Sequence, residues 1–283
     1  MLQNDHNGVS TGKNPLSWFL VLLILALVVV LFHCQGNTTD VRLFGRSLFK
    51  WMIIRWGDAT VSLGTYSHGW LIPMVSIAAV WFRRRELLAA ERKVCWHGMW
   101  VIVLALVLHL LGARAQQPRI SLVGFVLLTW GIPLFLQGWN AAKLLIFPCS
   151  YLLFCIPLNF LDEISFYLRI VVTMVSVTLL NGLGIATERA GTAIFSSAGG
   201  GFNLDVADPC SGIRSLLAIT ALAAAYAHFS RIVMWKKWLM FLSSIPLAVI
   251  GNIVRVLTIG ILAVCCGQKT AVGFYHDYSG YVV

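Results

Sequence analysis

The run Asp208-Pro209-Cys210-Ser211-Gly212-Ile213-Arg214-Ser215 stands directly before an apolar stretch of helical length. Cys210 therefore falls at or near a helix N-terminus. The free N–H groups and the dipole there favour a thiolate, and Arg214, one turn later, adds positive charge. A thiolate is the nucleophilic form of cysteine. The chain has 7 cysteines, at 34, 95, 149, 155, 210, 265 and 266. Only Cys210 has polar, glycine-containing surroundings at a helix start. Most of the others lie in apolar segments, where packing is the ordinary role. There is no Cys-x-x-Cys spacing and no His-rich signature, so neither a zinc site nor a disulfide framework is indicated, and no cofactor motif is present.

A cysteine nucleophile needs a proton-transfer partner and a group that stabilises an oxyanion. Arg255 lies inside an apolar stretch that begins at 238. At 1.5 Å per residue it is about 26 Å along that helix. With 210–229 running toward Arg231, Lys236 and Lys237, the next helix returns Arg255 to the depth of Cys210. A charge inside an apolar span is costly and points to function by default. The bland alternative is snorkelling to lipid headgroups. Asn252, one turn earlier, could orient the guanidinium. His276, in Phe274-Tyr275-His276-Asp277-Tyr278, follows the end of the same helix and could act as base and then as acid. His68, in Tyr66-Ser67-His68-Gly69, opens another apolar stretch on the same face, as a competing base or a structural residue. Asp205, Glu188 and Arg189 are lesser candidates for binding or loop structure.

The elements that must hold these residues are membrane helices. Of 283 residues, 59% are apolar and 11% charged, and 21 Lys and Arg stand against 11 Asp and Glu, a net charge of +10. Mean hydropathy is +0.82. So greasy a chain could not cover a soluble surface, which excludes a cytosolic globular enzyme and a disordered tail. The positives sit in short clusters between apolar runs, a pattern of membrane loops rather than of nucleic-acid binding. The expected fold is all-α and polytopic, a single integral membrane domain over 1–283. Roughly eight apolar helices are expected, at 17–34, 67–82, 97–113, 119–137, 143–160, 163–184, 210–229 and 238–265.

Other segments have their own readings. Residues 1–16 are polar, and 17–34 follows as an uncleaved anchor, since no small-x-small cleavage site follows it. Leu31-Phe32-His33-Cys34 matches a lipoprotein box poorly. Over 41–56, Arg42, Arg46 and Lys50 recur every four residues among Phe44, Leu48, Phe49, Trp51 and Met52. That pattern reads as an amphipathic interfacial helix, or as a loop helix packed on the bundle. The stretch 185–209 carries short β-like runs around a Gly-rich turn, which suggests a small extracytoplasmic hairpin before the catalytic helix. The glycines lack the Gly-Lys-Ser/Thr ending of a phosphate loop.

Arg83, Arg84, Arg85, Arg92 and Lys93 form one basic loop, and Arg231, Lys236 and Lys237 another. Both should be cytoplasmic. Five apolar segments lie between them, so one is expected not to cross fully, as a re-entrant or interfacial element. The suspects are 143–160, interrupted by Pro148 and Pro157, and 163–184, which carries Arg169.

At these residues the sequence resembles the exosortase/archaeosortase family. The matching pieces are Tyr66-Ser67-His68-Gly69, Pro209-Cys210-Ser211-Gly212-Ile213-Arg214-Ser215, Asn252-Ile253-Val254-Arg255 and His276. The resemblance implies a polytopic membrane cysteine protease and transpeptidase whose catalytic Cys, Arg and His map to Cys210, Arg255 and His276. Asn252, Arg214, Ser211, Gly212, His68 and Asp205 are read beside them as substrate-binding or supporting residues, and no metal or cofactor is expected. The implied partners are exported proteins with a C-terminal signal: a short motif such as Pro-Glu-Pro, a membrane helix and a basic tail. The expected location is the bacterial inner membrane, with membrane lipids around the bundle and the site facing outward. Two departures stand out. Pro209 occupies a position where a small residue is expected. The chain also ends seven residues after His276, where many relatives continue into another apolar span, so a less complete bundle is expected around His276. The rival readings are a multi-pass transporter or channel, and a non-catalytic subunit of an envelope polysaccharide or protein export complex.

Overall fold

The structure, a computed structural model, describes residues 15–36, 38, 41–57, 66–157, 160–196, 202–205, 213–268 and 270–271. In chain order the elements are α1 (Pro15–Cys34), α2 (Val41–Phe44), α3 (Leu48–Gly57), a 3₁₀ turn (Ser67–Trp70), α4 (Leu71–Phe82), α5 (Arg84–Ala89), α6 (Trp96–Arg114), α7 (Pro118–Gln137) and α8 (Trp139–Tyr151). A second 3₁₀ turn (Leu152–Cys155), α9 (Phe160–Gly182), β1 (Thr187–Ala190), β2 (Ala193–Ser196), β3 (Asn203–Asp205), α10 (Ile213–Phe229) and α11 (Met234–Cys266) complete it. Each of the eight apolar segments expected from the sequence overlaps helix among the described residues. Three helices, α6, α7 and α11, are long and apolar enough to cross a membrane by length and composition. The other apolar helices run to 10–17 residues among the described residues, so eight crossings are not established by length. The chain divides into two compact units, Met1–Arg55 with Gly69–Ile156, and Trp56–His68 with Pro157–Val283.

In the first unit, α6 and α7 form a hairpin with a seam of small residues. Gly98, Ala105 and Gly112 recur every seven residues on α6, a spacing that keeps one stripe facing a neighbouring helix. A Cβ on Gly98 would overlap the Phe135 backbone, and one on Gly112 would lie 2.7 Å from Ser121 N. Gly124 lies so close that a Cβ would stand 2.6 Å from the Ala105 carbonyl oxygen. Between helices in lipid there is little hydrophobic drive, so close backbone packing must hold them. The turn follows from its residues. Gln116 takes φ 53°, Gln117 N–H returns to Gly112 O at 2.8 Å, and Pro118 opens α7 where its missing N–H costs nothing. Gly124→Leu is expected to push the pair apart and destabilise the unit by about 1–3 kcal/mol. The midpoint of thermal unfolding in detergent measures it, and an unchanged midpoint would contradict the seam.

At the other end of α7, Gly138 takes φ 85° and a Cβ there would overlap the Lys93 carbonyl oxygen. Cys95 N–H donates to Phe135 O at 3.2 Å, which straps the 93–95 stretch along the end of α7. From here α8 runs back. Trp130 Nε1 donates to Ala142 O at 2.9 Å, and Ser76 Oγ donates to Pro148 O at 2.7 Å. Farther along, Cys155 Sγ lies 3.9 Å from Met52 Sδ on α3. Pro148 therefore bends nothing back: α8 and its 3₁₀ turn continue in one direction. Residues 160–182 form one unbroken helix. Among the described residues neither segment singled out by crossing parity contains a loop that folds it back on itself, while neither is among the three helices long enough to cross.

The amphipathic segment 41–56 is two helices rather than one. Gly45, at φ 66°, ends α2. Ser47 Oγ then accepts from Lys50 N–H at 3.1 Å, an N-cap bond, and lies 3.0 Å from His33 Nδ1. Leu48, Trp51, Met52 and Trp56 are buried. Phe49 packs edge-on against Phe125 on α7, with centroids 5.2 Å apart. The apolar face of α3 is thus turned to protein.

In the second unit the expected hairpin is part of a three-stranded antiparallel sheet in the order β1-β2-β3. The Gly-rich stretch joins β2 to β3, and an additional tight turn at Gly191, φ 64°, joins β1 to β2. Asn181 ties α9 to the sheet. Its Nδ2 donates to Thr187 O at 3.0 Å and its Oδ1 accepts from Thr187 N at 2.8 Å, so one amide imitates a strand partner. Ile194, Phe202 and Leu204 on the sheet are buried in one core with Val172 and Leu180 of α9 and Val256, Ile259 and Ala263 of α11.

Candidate functional site

Two sets of contacts fix the levels of the second unit's helices. Ser244 Oγ donates to Thr220 Oγ1 at 3.4 Å, and Lys237 Nζ donates to His228 O at 3.3 Å. α10 and α11 are therefore antiparallel, with Ser244 level with Thr220. Eight residues farther along α11, Asn252 is level with the start of α10 at Ile213. On the other side, a Cβ on Gly260 would lie 3.1 Å from Leu180 Cδ1. Both α9 and α11 end at the sheet. Gln268, just past α11, donates from Nε2 to Asn203 O at 2.6 Å and accepts at Oε1 from Asn203 N at 3.3 Å. α9 and α11 are parallel, and the same eight-residue step sets Asn252 level with Val172 and Thr173.

A polar layer results, beneath the sheet and level with the start of α10. Asn252 is 5% exposed, and Thr173 and Ser176 on α9 are 0% exposed. Arg255, three residues beyond Asn252, is half-buried with its Nε fully so. Both Asn252 and Arg255 are engaged in interactions. Thr173 Oγ1 donates to Arg169 O at 2.7 Å. Ser176 Oγ has no hydrogen-bond partner among the described residues. A buried polar group normally has a partner, so a layer of them inside an apolar bundle calls for an explanation.

Of the residues chosen from sequence, Asn252 and Arg255 are brought together here. Arg214 is in the first turn of α10 and Asp205 ends β3, paired across to Ala193; their side chains lie outside the described residues. Cys210, Ser211, Gly212 and His276 also lie outside them. His68 is half-buried on its 3₁₀ turn beside Tyr66, with ring centroids 6.1 Å apart. Glu188 and Arg189 are exposed on β1. The six described cysteines are free thiols, with Cys149 and Cys155 buried. No group of three or more His, Cys, Asp or Glu side chains that could hold a metal occurs among the described residues.

Thr173 and Ser176 were not among the residues picked out by sequence. The signal was there: Arg169, Thr173, Ser176 and Leu180 follow helical spacing along an apolar stretch. Small hydroxyls in membrane helices commonly bond their own backbone, which makes such a stripe easy to dismiss.

Neither a curated protein nor a solved structure gives a significant match to the chain. A family model does: the transmembrane exosortase model matches residues 56–283. It covers the whole second unit and all of the first from Gly69 onward, including the polar layer. On that match, the chain belongs to the transmembrane exosortase family.

Proposed function

We propose that the chain is a membrane cysteine peptidase and transpeptidase that removes a C-terminal sorting signal from exported proteins. The observation that carries this reading is the level of Asn252 and Arg255 with the start of α10. Cys210 precedes Ile213 by three residues, and three residues reach at most about 11 Å. The nucleophile, an oxyanion-stabilising cation and its orienting amide then share one end of the unit.

In the proposed reaction, the substrate's signal helix packs among the spans and presents a backbone carbonyl at the membrane boundary. The Cys210 thiolate attacks the carbonyl carbon. Arg255 neutralises the tetrahedral oxyanion or holds a substrate carboxylate. His276 takes the thiol proton and gives it to the departing amine as the C–N bond breaks. The thioester on Cys210 is then opened by an acceptor nucleophile or by water, restoring the thiol. Scarcity of water at the boundary favours the acceptor. His68 is the alternative base.

The site is at the end of α10–α11 opposite the Arg231, Lys236 and Lys237 loop. With that loop cytoplasmic, the site faces outward from the inner membrane. A membrane-impermeant thiol reagent added outside intact cells is expected to label Cys210, and Cys210→Ala is expected to lose that signal. Labelling of Cys210 only after the cytoplasmic face is opened would overturn the orientation. The activity itself is tested by co-expressing a tagged substrate that carries the signal. Mass spectrometry of its new C-terminus gives the cleavage point and any attached group. An unprocessed substrate in the presence of correctly folded protein would overturn the reading.

A further inference from the structure

Ser176 is the buried hydroxyl that the proposed reaction leaves unexplained. On α9, α10 and α11, Thr173, Thr178, Thr220, Ser243 and Thr258 each donate to a carbonyl three or four residues back in their own helix. That is the ordinary fate of a hydroxyl in an apolar helix. Ser176 is 0% exposed, yet its Oγ bonds neither the Val172 carbonyl nor any other described group. A buried hydroxyl left so is costly, and alanine in its place would spare that cost.

Its place in the packing says what it serves. Val172, Ser176 and Leu180 recur every four residues on α9, and the outer two lie in the core shared with α11. The facing stripe on α11 is Asn252, Val256, Ile259 and Ala263, all buried and spaced four, three and four. Leu180 meets Gly260, so in this parallel pair Ser176 is level with Val256, and Asn252 is one turn farther from the sheet. Over 250–258 of α11 the polar side chains are Asn252, Arg255 and Thr258. Thr258 is bonded to its own helix. Arg255 lies off the stripe, on the face of Ser244, which meets α10 through Thr220. Asn252 thus stands between Ser176 on the α9 side and the guanidinium on the α10 side.

The Asn252 amide can bridge the two. Its Oδ1 is fully buried. A carbonyl oxygen has two lone pairs, so it can accept from a hydroxyl while the amide keeps its other interactions. Arg255 carries only donors, so this oxygen is the end of the amide that can orient it. Hydrogen bonds of a reaction site are commonly long without substrate and tighten in the complex.

We infer that Ser176 is a positioning residue for Arg255. In the substrate complex its hydroxyl donates to Asn252 Oδ1 and holds the amide so that this oxygen also faces an Arg255 N–H. Neutral partners fix the guanidinium without cancelling the charge that the oxyanion needs, as a carboxylate would. The inference deepens the proposed function and rests on it.

The test is the processing of a tagged substrate by the full chain in nanodiscs. Ser176→Ala is expected to lower kcat about tenfold, with KM and the thermal unfolding midpoint unchanged. Ser176→Cys, which keeps the shape with a weaker donor, should fall between alanine and wild type. In an Arg255→Gln background, Ser176→Ala should cost less than about twofold more, because the group it positions is gone. A Ser176→Ala enzyme with wild-type kcat overturns the inference. So does a loss that repeats in full in the Arg255→Gln background, or a Ser176→Cys rate no better than that of alanine. A loss that comes with a lowered unfolding midpoint would make Ser176 a packing residue only. If Arg255→Gln itself matches wild type, the failure lies in the proposed function, and the inference goes with it.

Discussion

Replacing Cys210 by alanine is expected to stop processing of a signal-bearing substrate, by at least about 10⁴-fold. The effect is large because alanine supplies no atom that can form the acyl bond, and the remaining groups act only after that bond begins to form. Cys210→Ser should be nearly as severe. A serine hydroxyl stays protonated near neutral pH, where thiols in general ionise far more readily. Both variants keep the length and polarity of the segment before α10, so thermal unfolding should shift little. The measurement is the fraction of tagged substrate converted per unit of membrane-inserted enzyme. Processing by Cys210→Ala at the wild-type rate would remove the nucleophile from this position and, with it, the proposed chemistry.

Replacing Arg255 by glutamine is expected to cost about 10²–10³-fold, the range for losing one oxyanion-stabilising group. Arg255 is held in the same polar layer as Asn252, level with the start of α10. Arg255→Lys keeps the charge but loses the planar fork, and should recover only part of the loss. The partition between constants tells which role it has. A fall in kcat with KM unchanged means that Arg255 acts on the transition state. A rise in KM with kcat unchanged means that it holds a ground-state carboxylate of the substrate. Wild-type kcat and KM in Arg255→Gln would place the residue outside the reaction.

Much of the second unit was legible because its signals were local. The change from apolar to polar at 185, the glycines near 200 and the basic turn at 231–237 pointed to a hairpin before α10 and to the α10–α11 pair, though not to the third strand. Arg255 stood out because the surrounding helix is apolar. Other features depended on partners that composition does not name. Whether 41–56 lies on a surface or packs inward depends on Phe125 and on the Met52–Cys155 contact, which are remote in sequence. The break at Gly45 needed the backbone itself, since the pattern of Arg42, Arg46 and Lys50 runs on through it. Pro148 suggested a turned-back segment, but its carbonyl is taken by Ser76 from another helix, and the helix continues. Ser176 was passed over because its meaning comes only from Asn252 and Arg255, in the same layer on a helix 76 to 79 residues later.

One helix, α11, runs unbroken from the basic turn through Arg255 to the sheet. Its 33 residues amount to about 50 Å of rise, well beyond the roughly 30 Å of a hydrocarbon core. From Lys237 to Arg255 is about 27 Å. With Lys236 and Lys237 on the cytoplasmic headgroups, as in the proposed orientation, the helix would work as a yardstick that sets the plane of the proposed reaction. In a thicker bilayer the same rod would leave Arg255 submerged among acyl chains, and in a thinner one it would lift it into water. The depth at which a substrate is cut is then a property of the membrane as well as of the protein. Turnover in nanodiscs of graded acyl length should peak where the core matches that span.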